Sequence, residues 1–172
     1  MKNNLIIFDI DGVLTVKATG VNINVKMTDE EIKRNLLNAK PAQEGFNLLY
    51  SFWKGFVQLY HGDEARAWQH IAFNTGRKKS VYEKATECLF LQWQISQKIP
   101  GDWAKEAIKR VFWYPETAGY GKFEYFQTKS MMMEPIIEPT GNLYIDDEAS
   151  LIDYFQNDHI KPCAFCHFEA KQ

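Results

Sequence analysis

The sequence contains no long apolar run. None of its 172 residues lies in a stretch that approaches the roughly 20 apolar residues needed for a membrane-spanning helix. The N-terminal segment MKNNLIIFDIDG also reaches two acids before the apolar part of a signal peptide could form. We therefore expect a protein without membrane partners that resides in the cytoplasm.

The sequence also contains few cysteines and has a small net charge. Three cysteines, an odd number in a chain without an export signal, argue against a disulfide framework. The formal net charge of −2 gives no overall attraction for nucleic acid, which stays a candidate partner only through a local basic patch. Internal repeats and low-complexity linkers are missing as well, so we expect one domain that spans residues 1–172.

Apolar segments alternate with helical patterns along the chain. The first apolar segment, LIIF at 5–8, lacks polar alternation, as is typical of a parallel sheet covered on both faces. Strands separated by helices predict an α/β fold, a three-layer Rossmann-like parallel sheet with helices on both faces. The predicted strands cover 5–8, 70–73, 111–114, 143–145 and about 162–168, and the predicted helices cover about 28–38, 42–60, 80–97, 102–110, 128–137 and 148–156.

A small insert is predicted after the first strand, at about 15–40. VNINVKM at 21–27 alternates apolar and polar residues and predicts a hairpin flap, and Thr28 before three acids predicts the start of a short helix. An insert of this size is short for a separate cap domain. We therefore expect an open site, which admits a bulky substrate or is closed by a partner subunit in an oligomer.

Polar side chains end three of the predicted strands. Asp9 and Asp11 follow the first strand, Thr75 follows the second, and Asp146 and Asp147 follow the fourth. A lone acid at such a position is most often a turn residue or a helix cap. Parallel strands, however, bring these ends to one edge, where four carboxylates would repel one another unless a cation intervened. Oxygen ligands of this kind indicate a hard ion, above all Mg²⁺.

Three motifs in order resemble those of the haloacid dehalogenase superfamily. FDIDGVLT at 8–15 resembles the first motif, D-x-D-G-[TV]-[LV]-[TS], FNTGR at 73–77 is similar to the second, and LYIDDEAS at 143–150 is similar to the acidic fourth. The resemblance covers nearly all of the chain. It implies a Mg²⁺-dependent phosphohydrolase that cleaves a phosphate monoester through an aspartyl-phosphate intermediate.

The resemblance also implies roles for the acids. Asp9 would attack the phosphorus, and Asp11 would protonate the leaving oxygen and later accept a proton from water. The metal would be held by Asp9, Asp11, Asp146 and Asp147. Asp11 would bind it through its main-chain carbonyl, and Asp147 would either bind it through water or orient a lysine. Ile10 lies between the first two acids, so that Asp9 and Asp11 share one side of the extended chain.

The remaining site residues surround the phosphoryl group. Thr75 would hold phosphoryl oxygens, and a lysine would neutralise charge during the transfer. That lysine is either Lys129 or Lys122; we prefer Lys129, because it opens the predicted helix at 128–137 while Lys122 lies in a predicted loop. The candidate substrate-binding residues are Gly12, Asn74, Gly76, Arg77 and Lys122. Arg77 is expected either to steer a phosphorylated substrate or to be a solvated first turn of helix.

The substrate itself stays open between a phosphorylated small molecule and a nucleotide. The glycine-rich, aromatic stretch 115–127 is predicted to be a loop over one rim of the sheet, where flat groups could stack. A nucleotidase or a polynucleotide-end phosphatase is therefore an alternative to a general phosphatase. An alternative of another class is a module on the same fold that binds a phosphoryl group or a partner and turns over poorly.

Overall fold

The computed structural model of the protein describes residues 4–16, 28–137, 141–157 and 163–172. The predicted hairpin at 21–27 lies outside these ranges. The strands are β1 (Ile6–Phe8), β2 (Ile71–Lys78), β3 (Val111–Tyr114), β4 (Asn142–Asp146) and β5 (Cys163–His167). The helices are α1 (Asp29–Leu37), α2 (Gln43–Leu59), α3 (Glu64–Trp68), α4 (Lys79–Ser96), α5 (Trp103–Ile108), α6 (Lys122–Met133) and α7 (Ala149–Asn157).

The five strands form one parallel sheet in the order β3-β2-β1-β4-β5. The central strand is β1, and its last residue, Phe8, lies beside Phe73 of β2 and Ile145 of β4. Because all strands run the same way, the residues that follow Phe8, Phe73 and Ile145 meet at the carboxyl edge of the sheet. The topology therefore brings the three polar strand ends together.

Helices cover both faces of this sheet. Ile6 and Phe8 of β1 pack in one apolar cluster with residues of α2, α3, α4 and α5, whereas Leu5 and Ile7 pack in a second cluster with residues of α6 and α7. Neighbouring residues of a strand point to opposite faces, so an all-apolar strand fills both clusters. The predicted three-layer, Rossmann-like α/β architecture is confirmed. None of the helices in the described ranges is both long and apolar enough to cross a membrane.

The prediction for the second strand was wrong at its end. We expected the strand to stop at Phe73 because Asn74, Thr75 and Gly76 read as a turn. Instead β2 continues to Lys78, which pairs with Tyr114 of β3, and the register shifts between Asn74 and Lys78. The turn-forming residues thus make an irregular segment within the strand, as a β-bulge does.

The prediction for the helix before β4 was also wrong. Residues 122–127 belong to α6 and are not a loop, and Lys129 lies in the second half of this helix. The buried residues of α6 recur at helical spacing and include Tyr125, Phe126, Lys129 and Met133. The glycines just before α6 made this segment resemble a loop, so its buried helical face was not predicted. The helix ends at Met133, before Pro135 and four residues earlier than predicted, and the five-residue helix α3 was not predicted.

Alanine substitutions at two glycines of α2 test how tightly this helix packs on the segment after β1. A Cβ atom at Gly45 would lie 1.6 Å from the carbonyl oxygen of Val13, whereas nothing lies within 4 Å of a Cβ atom at Gly55. We expect Gly45→Ala to lower the free energy of unfolding by about 1–3 kcal/mol through overpacking. Gly55→Ala should raise it by about 0.5–1 kcal/mol, because alanine is the better helix former. Chemical denaturation measures both, and equal effects would contradict the close contact of Gly45.

Candidate functional site

Three carboxylates converge at the carboxyl edge of the sheet. Asp9 directly follows β1, Asp146 ends β4, and Asp147 comes next. One carboxylate oxygen of each residue lies within 4.8 Å of the others. Asp9 and Asp146 are buried, with 5% and 1% of their surface exposed. Oxygen donors at this spacing are chemically suited to a hard divalent cation.

Lys129 provides the positive charge that faces this cluster. Its ammonium group is fully buried and lies 3.0 Å from Oδ1 of Asp9. It also donates to the main-chain oxygen of Asn74 at 2.6 Å. The side chain of Asn74 donates in turn to the main-chain oxygen of Lys129, so Asn74 braces α6. Of the two candidate lysines, Lys129 reaches the site, while Lys122 is exposed at the first turn of α6.

When its three acids are ionised, the cluster carries more negative than positive charge. Burial, followed by the charge of Asp146, raises the pKa of Asp9 to about 7 against the opposing effect of Lys129. Burial and the charges of Asp9 and Asp146 raise the pKa of Asp147 to about 10. Burial works against the charged form of Lys129, but the nearby acids raise its pKa. One buried lysine therefore leaves part of the carboxylate charge uncompensated, as expected of a site that also accepts a cation.

The carboxylate of Asp146 is oriented from both sides. Its Oδ1 accepts a hydrogen bond of 2.9 Å from the main-chain N–H of Glu148. Its Oδ2 accepts a short hydrogen bond from the hydroxyl of Tyr144, which is fully buried. Tyr144 was not predicted as a site residue. The sequence did indicate this contact, because Tyr144 and Asp146 are two residues apart in a strand and therefore share one face.

Asp11 does not join the other acids. Nε and Nη2 of Arg77 donate to its two carboxylate oxygens at 2.8 and 2.7 Å, and Thr15 donates to Oδ1 at 3.3 Å. The expectation that four carboxylates converge is therefore wrong: three converge, and the fourth is paired with a guanidinium group.

Arg77 has neither of the two roles that the sequence predicted, substrate steering or a solvated helix turn. Its side chain is 1% exposed, so it neither steers a substrate from the surface nor forms a solvated helix turn. Besides Asp11, it donates to Oγ1 of Thr86 on α4 at 3.0 Å. A buried guanidinium group needs such partners, and its partners lie too far away in sequence to be inferred from spacing.

Gly12 allows Asp147 to approach the first motif. Its φ of +90° lies in the left-handed region that favours glycine, and a Cβ atom there would lie 2.1 Å from Oδ2 of Asp147. Ala170 donates to the main-chain oxygen of Gly12 at 2.8 Å, which fixes this turn from the other side. Gly12 thus acts through the space that it leaves for Asp147.

Thr75 and Gly76 lie on β2 beside the acids. Thr75 is fully buried, and its Oγ1 accepts a hydrogen bond of 3.1 Å from the main-chain N–H of Arg77. Gly76 lies against the ring of Tyr125 from α6. The site therefore combines an acidic cluster, a buried lysine and a polar segment of β2, all positioned by the carboxyl edge of the sheet.

Comparisons of the chain with protein-family models, with curated proteins and with solved structures found no match.

Replacement of Gly12 by alanine should displace Asp147. We expect Gly12→Ala to destabilise the protein by about 1–3 kcal/mol from the left-handed backbone alone and to weaken divalent-cation binding, because the methyl group occupies the space of the Asp147 carboxylate. Gly62→Ala is the matched control, since Gly62 has a φ of +95° and no atom within 4 Å of its Cβ position. Calorimetric titration with Mg²⁺ or Mn²⁺ distinguishes the two. Equal cation affinity in both variants would contradict the role of Gly12.

The raised pKa values of Asp9 and Asp147 predict a pH dependence of stability without metal. Above the usual carboxyl pKa of 3.8, the unfolded chain releases protons that the folded site retains. Stability should therefore fall as the pH rises from about 4 toward and through the folded values of about 7 and 10, by up to about 1.4 kcal/mol per pH unit for each retained proton.

Thermal unfolding in EDTA at several pH values measures this effect against Asp147→Asn, which should show a shallower fall. Identical slopes for the two proteins would contradict the charge repulsion. Added Mg²⁺ should stabilise the unmodified protein more at high pH than at low pH, because the cation binds the ionised acids.

Proposed function

We propose that the protein is a Mg²⁺-dependent phosphohydrolase of the haloacid dehalogenase type, which cleaves a phosphate monoester in the cytoplasm through an intermediate on Asp9. The observation that carries this proposal is the contact of Asp9 with Lys129 inside a cluster of three carboxylates. A buried nucleophile of negative charge needs a cationic partner, and an anionic substrate needs more positive charge than one lysine supplies.

The residues present fit a divalent cation. Asp9, Asp146 and Asp147 would hold it, with the resemblance adding the main-chain carbonyl of Asp11. When bound, Mg²⁺ would neutralise the cluster and polarise a phosphoryl oxygen. Tyr144 and the N–H of Glu148 keep Asp146 oriented for this role.

In the first step, a carboxylate oxygen of Asp9 attacks phosphorus while the bond from phosphorus to the leaving oxygen breaks. The electron pair of that bond goes to the leaving oxygen, which takes a proton from Asp11. Lys129 compensates for charge on Asp9 and on the phosphoryl oxygens. Thr75 and the N–H groups of its segment would hold the remaining phosphoryl oxygens.

In the second step, water attacks phosphorus of the aspartyl-phosphate, Asp11 accepts its proton, and phosphate leaves with Asp9 regenerated. Both Asp11 oxygens accept hydrogen bonds from Arg77, so each proton transfer requires Asp11 to exchange one of these contacts. This requirement favours, as a second candidate of another class, a module that binds a phosphoryl group and turns it over slowly.

A nucleotide or polynucleotide end is a second candidate substrate class. Tyr120 donates to the main-chain oxygen of Gly76 at 2.8 Å and is 36% exposed. Phe123 is 78% exposed on the first turn of α6, and the ammonium of Lys78 lies 5.2 Å from the centre of the Tyr120 ring. Exposed rings and a cation beside the segment that follows Thr75 suit a flat group attached to a phosphate.

Phosphate release from an aryl phosphate and from a panel of nucleotides and sugar phosphates tests the proposal. We expect turnover that requires Mg²⁺, stops with EDTA and falls at least about a thousandfold in Asp9→Asn, because the variant has lost its nucleophile. Asp153→Asn, which changes an exposed aspartate of α7, is the control and should retain activity.

Full activity of Asp9→Asn would refute the assigned nucleophile. Binding of Mg²⁺ and phosphate without turnover of any substrate would favour the binding module instead. The ranking of the panel would decide between nucleotides and other phosphate esters.

A further inference from the structure

Helix α6 directs a second polar side chain toward the acids. Tyr125 lies four residues before Lys129, so that the two side chains share one face of the helix. The ammonium of Lys129 lies 5.9 Å from the centre of the Tyr125 ring. No role for Tyr125 followed from the sequence beyond its place in an aromatic stretch.

The ring of Tyr125 lies directly on the segment that follows Thr75. A Cβ atom at Gly76 would lie 3.1 Å from Cε2 and 3.3 Å from the hydroxyl oxygen of Tyr125. The hydroxyl group thus lies close to the main chain of Gly76. Stacking against Tyr114, at 5.9 Å between ring centres, and packing beside Phe126 keep the ring in this position.

The hydroxyl of Tyr125 has no hydrogen-bond partner among the described residues, although three nearby tyrosines use theirs. Tyr114 donates to Gly119, Tyr120 donates to Gly76, and Tyr144 donates to Asp146. The Tyr125 hydroxyl is not among the unpaired polar atoms of these ranges that are closed to solvent, so it keeps some solvent access although only 8% of the residue is exposed.

The charges of the site keep this hydroxyl protonated. Burial, followed by the negative charge of Asp9 and then of Asp146, Asp147 and Asp11, raises the pKa of Tyr125 well above its ordinary value. A protonated phenol can donate to an acceptor that enters the site, whereas a buried polar group that stays unpaired is unfavourable.

We propose that Tyr125 is a further substrate-binding residue, whose O–H donates a hydrogen bond to a non-bridging oxygen of the phosphoryl group. The inference rests on the proposed function. A phosphoryl oxygen seated between Lys129 and the segment of Thr75 and Gly76 meets the Tyr125 hydroxyl at the same place. This phosphoryl oxygen accepts the hydrogen bond of the Tyr125 hydroxyl, for which the described residues supply no acceptor.

Tyr125→Phe tests the contact, because it removes an unpartnered hydroxyl and keeps the ring. We expect an unchanged melting temperature, a rise in KM, and a rise of roughly tenfold or more in the inhibition constant of inorganic phosphate, since a hydrogen bond to an anion is lost. Phosphate has no leaving group, so this constant reports contact with the phosphoryl group alone. Tyr114→Phe, which removes a hydroxyl bonded to Gly119 in the same stack, should leave the constant within about twofold.

Gly76→Ala provides a second variant, because its methyl group would push the Tyr125 ring away. It should also weaken inhibition by phosphate. A raised KM with an unchanged inhibition constant in Tyr125→Phe would place the hydroxyl on the leaving group and overturn the inference, as would no change in either constant.

Calorimetric titration of the Mg²⁺-loaded protein with phosphate separates this inference from the proposed reaction. Turnover in the unmodified protein with equal phosphate affinity in Tyr125→Phe overturns the inference alone. Phosphate binding that weakens in Tyr125→Phe without any turnover supports the contact but not the reaction. Absence of both turnover and phosphate binding overturns both.

Discussion

The buried contact between Lys129 and Asp9 is the interaction on which the site depends. It joins α6 to the end of the central strand, and the second hydrogen bond of Lys129, to Asn74, joins the same helix to β2. A buried ammonium group is stable only with such partners, and a buried carboxylate beside two others needs the ammonium in return. Removal of Lys129 leaves uncompensated carboxylate charge in the interior, and removal of Asp9 takes from Lys129 its ion-pair partner. Charge balance thus adds to the apolar packing that holds α6 on the sheet.

A second buried pair serves the other half of the site. Arg77 connects Asp11 to Thr86 of α4, so the segment after β1 is held by one helix on each face of the sheet. Asp9 is tied to α6 and Asp11 to α4, although only Ile10 separates them. The chain bends at Ile10 and turns over residues 11–15, so the two acids do not share one side as the sequence predicted, and each has its own basic partner.

The sequence was informative where chemistry and periodicity coincided. The apolar segments, the acids that end β1 and β4, and the polar residues of β2 sufficed for the parallel sheet and for the convergence of Asp9, Asp146 and Asp147. The partner of Asp11 could not be predicted, because Arg77 reaches it only through the bulged end of β2. The first half of α6 was missed since its glycine-flanked aromatics resemble a loop, and with it the position of Tyr125. Local patterns identify which groups are present, while tertiary packing decides which of them meet.

The position of β1 has a consequence for biosynthesis. This strand comes first along the described chain, yet its neighbours in the sheet are Ile71–Lys78 and Asn142–Asp146. Until the second of these segments leaves the ribosome, one edge of this wholly apolar strand has no pairing partner, and an unpaired apolar edge favours association with other chains. A nascent chain that stalls before residue 142 therefore holds a helix-covered half sheet with an open centre. Completion of the core and assembly of the acidic cluster become a single late event.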